Sequence, residues 1–321
     1  MNSLELFKTQ KFYQIDISIL KDLGYDVLLS NRIFDSLLFW KYDILFSYFY
    51  RYSFFAALLA KCFGKKTYFT GGIDSLDSDY ASAFNYKIQA LFFKLCYWVA
   101  DSCIIVSQSD LKNIFKVSSL KKKLSYSEHV INTKLFIADV PKEKIFTSIV
   151  WMGDEGNVVR KGVDKALQIF AELKKIPEFV DYRFVIIGRK GEGEVLVRSI
   201  IDKYNLKGSV ELKGEVSEED KINLLKQSKY YFQLSLYEGF GLAALEALCA
   251  NNIIIHSGKG GLANPIYKEQ LLFDIDNDFD SELLKLVNKL ACFTPITSYD
   301  NLLEYYDIQR RKDDFEAIIV N

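Results

Sequence analysis

The strongest constraint on the fold is a regular alternation of apolar runs and amphipathic stretches across residues 148–257. Short runs rich in Val, Ile and aromatic residues predict buried strands, while apolar residues spaced by three or four predict helices. Strands alternating with helices of this length favour a parallel sheet covered on both faces. The predicted strands are 148–152, 182–188, 209–214, 230–235 and 253–257, and the predicted helices are 162–175, 194–205, 217–227 and 242–250.

The first 140 residues differ in composition. They contain no proline and hold 28 of the 48 aromatic residues. Pro141, within a polar run, predicts a linker. We expect two α/β domains, 1–143 and 144–300, and a segment, 301–321, that packs back on the first domain. In the first domain, strands are predicted at 41–50, 65–72 and 101–109, and helices at 54–64 and 86–100.

Composition argues against several classes of protein. The net charge of -1 gives no case for nucleic-acid binding. Five cysteines without CxxC spacing indicate reduced thiols in a cytoplasmic protein. The sequence has no run of ~18 apolar residues and no secretory signal at its start. We therefore expect a cytoplasmic chain.

Peripheral contact with a membrane is one hypothesis for the first 140 residues. They carry 17 Lys/Arg against 13 Asp/Glu, and Lys121, Lys122 and Lys123 form a basic run. Aromatic residues and lysines suit an interface with anionic lipids, here the inner face of the plasma membrane. The alternative is an aromatic core with an ordinary solvated loop.

The stretch most informative about function is LYEGFGLAALEALCANNIIIHSGKGG, residues 236–261. A strand is predicted to end before it, and a helix to begin just after Gly241. Such a glycine-lined helix N-terminus presents free backbone N–H groups and partial positive charge, which suit a diphosphate. Glu238 and Glu246 can accept hydrogen bonds from sugar and ribose hydroxyls. The alternative for each is an ordinary loop or helix-start acid.

The string E-G-F-G-L-A-A-L-E-A (238–247) resembles the donor motif of glycosyltransferase family 4, E-G-F-G-x-x-x-x-E-A. KGG (259–261) follows where that family has a G-G loop. The resemblance implies that Glu238 contacts donor sugar hydroxyls and Glu246 contacts the ribose. It places further donor-binding residues at Gly239, Phe240, Gly241 and Leu242, the last two near the diphosphate.

A second segment, RKGVDKALQIF (160–170), resembles the family's K-G segment, in the form of lipopolysaccharide-core glucosyltransferases. Arginine clamps a phosphate bidentately and lysine adds a point charge, so both would stabilise a departing diphosphate. Arg160, Lys161 and Glu238 are therefore the predicted catalytic residues. The alternative is a solvated basic pair at a helix start. One position departs from the family, because Asp154 follows Gly153 where arginine is usual.

Other strand ends complete the predicted donor site. Gly153 follows one predicted strand and Gly188 ends the next, although a plain turn is an alternative for Gly188. By the same resemblance, backbone around Leu212 to Gly214 contacts the base. We expect the donor to be a UDP-sugar or GDP-sugar.

In the first domain the resemblance is thinner. Gly71 and Gly72 occupy the region where many family members have a histidine, and Asp74 remains. These three are the predicted acceptor-side residues. The string Asp77-Ser78-Asp79 is a D-x-D pattern, but it sits where a helix cap is expected. With only two histidines in the chain, we expect neither a metal site nor a cofactor.

The resemblance implies the GT-B fold, two Rossmann-like domains facing across a cleft, and metal-independent hexose transfer with retention of configuration. The acceptor would be a surface polysaccharide, lipid-linked sugar or lipopolysaccharide hydroxyl. One alternative is a catalytically inactive nucleotide-sugar-binding partner. A dinucleotide-dependent oxidoreductase is disfavoured because no GxGxxG follows the first strand.

Overall fold

A computed structural model describes residues 3–137, 140–293 and 300–320. The chain forms two compact units, one of residues 1–132 with 304–321 and one of residues 133–303. The sequence placed this division between residues 143 and 144. The structure divides the chain earlier because residues 133–143 group with the second unit. Residues 304–321 group with the first.

Helices and strands are numbered in chain order. Within residues 3–137 they are α1 (Ser3–Thr9), α2 (Lys11–Asp22), β1 (Ile44–Tyr48), α3 (Tyr50–Cys62), β2 (Lys66–Thr70), α4 (Ala83–Val99), β3 (Ser102–Ile105), α5 (Gln108–Val117) and β4 (Leu124–Tyr126). Within residues 140–293 they are β5 (Glu143–Ile149), α6 (Glu155–Arg160), α7 (Val163–Leu173), β6 (Arg183–Ile187), α8 (Glu194–Lys203), β7 (Val210–Gly214), α9 (Glu218–Gln227), β8 (Ser228–Gln233), α10 (Leu242–Cys249), β9 (Ile253–His256), β10 (Leu271–Leu272) and α11 (Phe279–Cys292). Within residues 300–320 they are α12 (Asp300–Tyr305), α13 (Ile308–Phe315) and a π-helical turn (Glu316–Val320). Short 3-10 turns are Ile33–Leu37, Phe39–Lys41, Asp74–Leu76, Thr133–Leu135, Pro177–Phe179, Gly260–Ala263 and Pro265–Tyr267.

The first unit is built on a four-stranded parallel sheet in the order β1-β2-β3-β4. Right-handed connections that step in one direction place successive helices on one face. Accordingly α3, α4 and α5 cover one face, where Phe93 and Phe69 share a core. The opposite face is covered by α2 and α13, with Phe315 and Ile104 in a separate core.

A buried ion pair holds α13 to α2. Arg311 donates to both carboxylate oxygens of Asp16, at 2.6 and 2.9 Å, and both side chains are almost fully buried. The same guanidinium donates to the backbone oxygen of Ser127, and Tyr48 Oη donates to Asp16. Because the pair is buried and well hydrogen-bonded, removal of either partner would leave a costly isolated charge.

The second unit contains a six-stranded parallel sheet in the order β10-β9-β8-β5-β6-β7. The chain builds outward from β5 in one direction through β6 and β7, then returns to β8 on its other side. Strand order therefore reverses between β5 and β8. Ligands on such sheets bind beyond the carboxyl ends of the strands at this reversal.

Each strand and helix predicted for residues 148–257 has a counterpart, and so has each element predicted in the first domain. Two details differ. Strand β5 begins at Glu143, earlier than predicted. The sequence pattern did not indicate this start because the first two residues of the strand are charged and exposed. The predicted loop 153–161 contains helix α6, which begins there because the Asp154 side chain accepts a hydrogen bond from the Asn157 backbone N–H at 2.6 Å.

Asp110, in the first turn of α5, makes the free energy of unfolding depend on pH. Its carboxyl is buried, accepts a hydrogen bond from the Ile73 N–H at 3.4 Å, and has no partner at Oδ2 among the residues described. Burial, and then the neighbouring Asp74, raises its pKa from 3.8 to about 7. Between these values the unfolded chain releases a proton that the folded chain keeps. Stability is therefore lost as pH rises from about 4 to about 7.

We predict that Asp110→Asn, which cannot ionise, becomes more stable relative to wild type as pH rises, by up to ~4 kcal/mol between pH 4 and pH 8. Urea unfolding of both proteins at pH 4, 6 and 8 measures this difference. The exposed Asp22→Asn is the matched control and should show a much smaller change. A difference between Asp110→Asn and wild type that is the same at all three pH values would contradict the prediction.

Candidate functional site

The Glu238 carboxylate lies in the loop after β8, at the carboxyl ends of the second sheet, and is held by several hydrogen bonds. Its Oε2 accepts three hydrogen bonds, from Lys161 Nζ at 2.7 Å, Gln233 Nε2 at 3.1 Å and Ser235 Oγ at 3.1 Å. Its Oε1 has no hydrogen-bond partner among the described residues. The Glu238 side chain remains 16% exposed. One oxygen is thus held firmly while the other is an unused acceptor.

A buried polar network beneath Glu238 orients it. Tyr231 Oη accepts from the Ile149 N–H at 3.3 Å and donates to Gln233 Oε1 at 3.1 Å. Because the Gln233 carbonyl accepts this bond, its amide nitrogen is directed at Ser235 and Glu238. Sequence reasoning missed Tyr231 and Gln233. The available signal was polar groups at alternate positions, 231, 233 and 235, on one side of a strand.

Lys161 reaches Glu238 from the turn between α6 and α7. Gly162 in this turn has φ +67°, and a Cβ there would lie closer than 3.0 Å to the Leu234 backbone oxygen. The Leu236 N–H donates to the Arg160 backbone oxygen at 2.8 Å. The turn is therefore packed backbone to backbone against the end of β8, which places the lysine ammonium beside the carboxylate.

Arg160 lies in the last turn of α6, not at the start of the following helix. A cation in a last turn is favoured by the helix dipole, so the alternative of a solvated basic pair at a helix start does not describe the position of this residue. Its guanidinium donates to Asn157 Oδ1 at 2.6 Å. Among the described residues it forms no ion pair, which distinguishes it from Lys161.

The G-G loop packs directly on the loop that carries Glu238. The Gly261 N–H donates to the Glu238 backbone oxygen at 2.6 Å. A Cβ on Gly260 would overlap the Glu238 backbone, and one on Gly261 would overlap the Phe240 backbone. These glycines therefore have a structural role, because they let the two loops touch. Gly241, with φ +88°, begins helix α10 directly after the Glu238 loop.

Glu246, in α10, is buried, and its two carboxylate oxygens each accept from Lys221 Nζ of α9 at 2.7 Å. Burial raises the pKa of Tyr231, and the nearby Glu246 and Glu238 carboxylates raise it further. Tyr231 therefore lies within electrostatic range of both acids. Sequence reasoning missed Lys221, because α9 carries no motif that indicates a role for it.

The remaining predicted donor residues lie at neighbouring strand ends. Gly188 has φ +130° and approaches the Val150 backbone oxygen too closely for a Cβ. Its N–H donates to the Gly214 oxygen at 2.8 Å, so these two strand ends are joined. Leu212 is half-buried in β7. Gly153, Gly239, Phe240 and Leu242 lie in the loops after β5 and β8 and at the start of α10.

The predicted acceptor-side residues belong to the first unit. Gly71 and Gly72 follow β2, and Asp74 begins the turn Asp74–Leu76. Gly71 has φ +102°, and a Cβ there would lie 3.3 Å from the Phe49 ring. Within residues 3–137, 140–293 and 300–320, no group of three or more His, Cys, Asp or Glu side chains could hold a metal ion.

Residues 156–290 match the family described as "Glycosyl transferases group 1". The match begins within α6 and includes Lys161, Glu238, Glu246 and the G-G loop. The matched region therefore covers most of the second unit. Its Lys161 and Glu238 side chains lie where the strand order reverses, between β5 and β8.

Two similar proteins carry names of glycosyltransferases. One, from Xanthomonas oryzae pv. oryzae, is the GDP-mannose:cellobiosyl-diphosphopolyprenol alpha-mannosyltransferase, 32% identical over 44% of this chain and 40% of its own length. The other is a human component of phosphatidylinositol N-acetylglucosaminyltransferase, 30% identical over 33% of this chain and 21% of its own length. The matches thus span less than half of these relatives.

Solved structures resemble the chain over most of its length. Anabaena Alr3699/HepE in complex with UDP-glucose has a TM-score of 0.71 at 12% identity, covering 95% of this chain and 88% of that one. A sucrose-phosphate synthase from Thermosynechococcus elongatus has a TM-score of 0.62 at 18% identity, covering 98% and 76%. These likenesses confirm the predicted α/β class with two Rossmann-like domains of the GT-B type.

We predict that Gly260→Ala destabilises the second unit by at least ~2 kcal/mol more than Gly208→Ala. Both glycines have positive φ, +58° and +83°, but a Cβ on Gly208 meets nothing within 4 Å, whereas one on Gly260 overlaps the Glu238 backbone. The control therefore separates backbone strain from the loop contact. Urea unfolding free energies measure both, and equal losses would show that the two loops do not need their close approach.

Proposed function

We propose that the chain transfers a hexosyl group from a nucleoside diphosphate sugar to an acceptor hydroxyl, with retention of configuration and without a metal. The supporting observation is the Glu238 carboxylate, one oxygen held by three donors and the other unused, beside Lys161 and the N-terminus of α10. The family 4 motif resemblance and the match of residues 156–290 supply the reaction class.

In this proposal the donor lies along the carboxyl ends of β8, β5 and β7. Glu238 Oε1 accepts a hydrogen bond from a sugar hydroxyl, and the backbone N–H groups of Gly241 and Leu242 bind the diphosphate. Glu246 accepts from the ribose, with Lys221 orienting its carboxylate. The base contacts backbone near Leu212 and Gly214. One relative is named for GDP-mannose and one solved neighbour holds UDP-glucose, so the base stays open.

The proposed chemistry uses the leaving group as the base. The glycosidic C–O bond to the outer phosphate breaks, and that phosphate oxygen takes the acceptor hydroxyl proton on the same face. The acceptor oxygen then bonds to the anomeric carbon. Lys161 and Arg160 stabilise the negative charge that collects on the departing diphosphate. A lipid-linked acceptor fits the diphosphopolyprenol and phosphatidylinositol named for the relatives.

A second candidate is a nucleotide-sugar-binding partner without catalysis. It is favoured by Asp154, which caps α6 where the family usually has arginine, and by the human relative, which is named as one component of an enzyme. Incubation with UDP- and GDP-hexoses in EDTA, with and without lipid-linked acceptors, tests the choice. Donor turnover in EDTA supports the enzyme. Donor binding without any turnover supports the partner, and turnover only after Mn²⁺ or Mg²⁺ would contradict metal independence.

We expect the two glutamates to separate by ligand fragment. Glu246→Ala should weaken binding of both free nucleotide and nucleotide sugar, since both contain ribose. Glu238→Ala should weaken only the nucleotide sugar. Calorimetry with each ligand measures this, and Glu219→Ala, an exposed acid of α9, is the matched control. Equal weakening of free nucleotide by both variants would show that the two roles are wrongly assigned.

Lys161 should affect turnover more than donor affinity, because only charge that grows in the transition state accelerates the reaction. We predict that Lys161→Ala lowers kcat by ~10²–10³. Ser235→Ala, which also removes one donor from Glu238 but no cation, is the matched control and should lower kcat far less.

Arg160→Ala should behave like Lys161→Ala if this arginine replaces the one absent at Asp154, and Arg160→Lys should restore only part of the rate. Steady-state kcat and calorimetric donor affinity distinguish the cases. Wild-type kcat in both alanine variants would exclude the proposed phosphate contacts.

A further inference from the structure

The outer side of α4 combines exposed apolar and basic side chains. Phe84, Leu91 and Trp98 are each more than half exposed, and Lys87 and Lys94 lie between them on the same stripe. The spacing of three and four residues keeps all five on one side of the helix. A solvated helix normally places polar residues there, so this stripe has no explanation in the packing of the unit.

The neighbouring α3 continues this surface. The two helices cover the same side of the sheet, with the Phe54 and Phe92 rings in edge contact at 6.2 Å and Cys96 Sγ donating to the Tyr50 oxygen at 2.9 Å. Outward from α3 project Tyr52 and Phe55, both more than half exposed.

The segment before β1 also lies against α3. The Phe39 ring stacks on Phe63, just past the end of α3, with centroids 4.2 Å apart and planes 15° apart. Phe34 and Trp40 of this segment are exposed. We call the whole surface the aromatic face; its members are Phe34, Trp40, Tyr52, Phe55, Phe84, Leu91 and Trp98, which are 54% to 78% exposed.

The charges on these helices have one sign. Helices α3 and α4 contain Arg51, Lys61, Lys87 and Lys94 and no Asp or Glu. Lys61 is paired with Asp101, outside both helices. A basic surface with exposed Trp, Tyr and Phe complements the headgroup region of an anionic bilayer. None of the helices among the described residues has the length and apolar character needed to cross a membrane.

Two lysines of the run suggested by the sequence, Lys121 and Lys123, contact other residues of the first unit. Lys123 Nζ donates to the backbone oxygens of Tyr97, Trp98 and Ala100, and so caps the C-terminus of α4. The Lys121 ammonium lies 4.6 Å from the centroid of the Phe115 ring. Charge reversal at this run would disturb the end of α4 and would not be a clean test of lipid binding.

We propose that the aromatic face inserts into the headgroup region of an anionic lipid bilayer, with Lys87 and Lys94 contacting lipid phosphates. This deepens the membrane contact expected for the first domain and does not depend on the transfer reaction. Insertion removes the exposed rings from water, and the lysines make it sensitive to lipid charge and salt.

Flotation of the full chain with phosphatidylcholine vesicles, with and without about 30 mol% of the anionic lipid phosphatidylserine, tests the proposal. Wild type should float with the anionic vesicles. Phe84→Ala/Trp98→Ala and Lys87→Glu/Lys94→Glu should each reduce the partition coefficient at least about tenfold. The controls are exposed residues of the second unit, Val195→Ala/Leu284→Ala and Lys268→Glu/Lys289→Glu, which should float like wild type.

Two companion measurements keep the outcomes distinct. Thermal unfolding shows whether each variant is folded. Calorimetric donor binding without vesicles should be the same for wild type and variants, whether or not the chain transfers a sugar. Wild type that fails to float, or aromatic-face variants that float like their controls, would overturn the membrane assignment. Self-association of wild type that the Phe84→Ala/Trp98→Ala variant abolishes, without flotation, would assign the face to a second copy of the chain.

Discussion

The ion pair between Lys161 and Glu238 links the packing of the second unit to its proposed chemistry. It joins the turn after α6 to the loop after β8, and both segments are already held by backbone contacts. The lysine therefore has one anion before any ligand arrives, and a diphosphate would supply a second. The proposed recognition of sugar and the stabilisation of leaving charge thus share one cation, so a change in either loop alters both.

The two faces of the first sheet are covered by different kinds of helix. One side is sealed by helices from distant parts of the chain, α2 and α13, which the buried Arg311–Asp16 pair holds together. The other is covered by consecutive helices whose outer surfaces remain apolar and basic. Aromatic content alone did not separate a core from a surface. Burial does, because Phe69 and Phe93 are enclosed whereas Phe84 and Trp98 are not.

Local pattern predicted the elements well because each strand between 148 and 257 is a short apolar run with turn residues on both sides. It predicted the glutamates through a motif. It could not predict Lys221, which meets Glu246 only after α9 packs beside α10. Gln233, a near neighbour of Glu238 in the chain, was missed although the alternating polar residues of that strand gave a signal. Helix α6 was missed for another reason. Six residues give little periodicity, and the capping side chain of Asp154 was interpreted only as a missing arginine.

The position of Arg311 has a consequence for biosynthesis. Asp16 leaves the ribosome long before its buried counter-ion, which is translated 295 residues later. The second unit, residues 133–303, is complete before then. The second unit can therefore fold while one side of the nascent first sheet is covered only by α2. This side of the sheet is complete only when α13 has been translated and Arg311 pairs with Asp16.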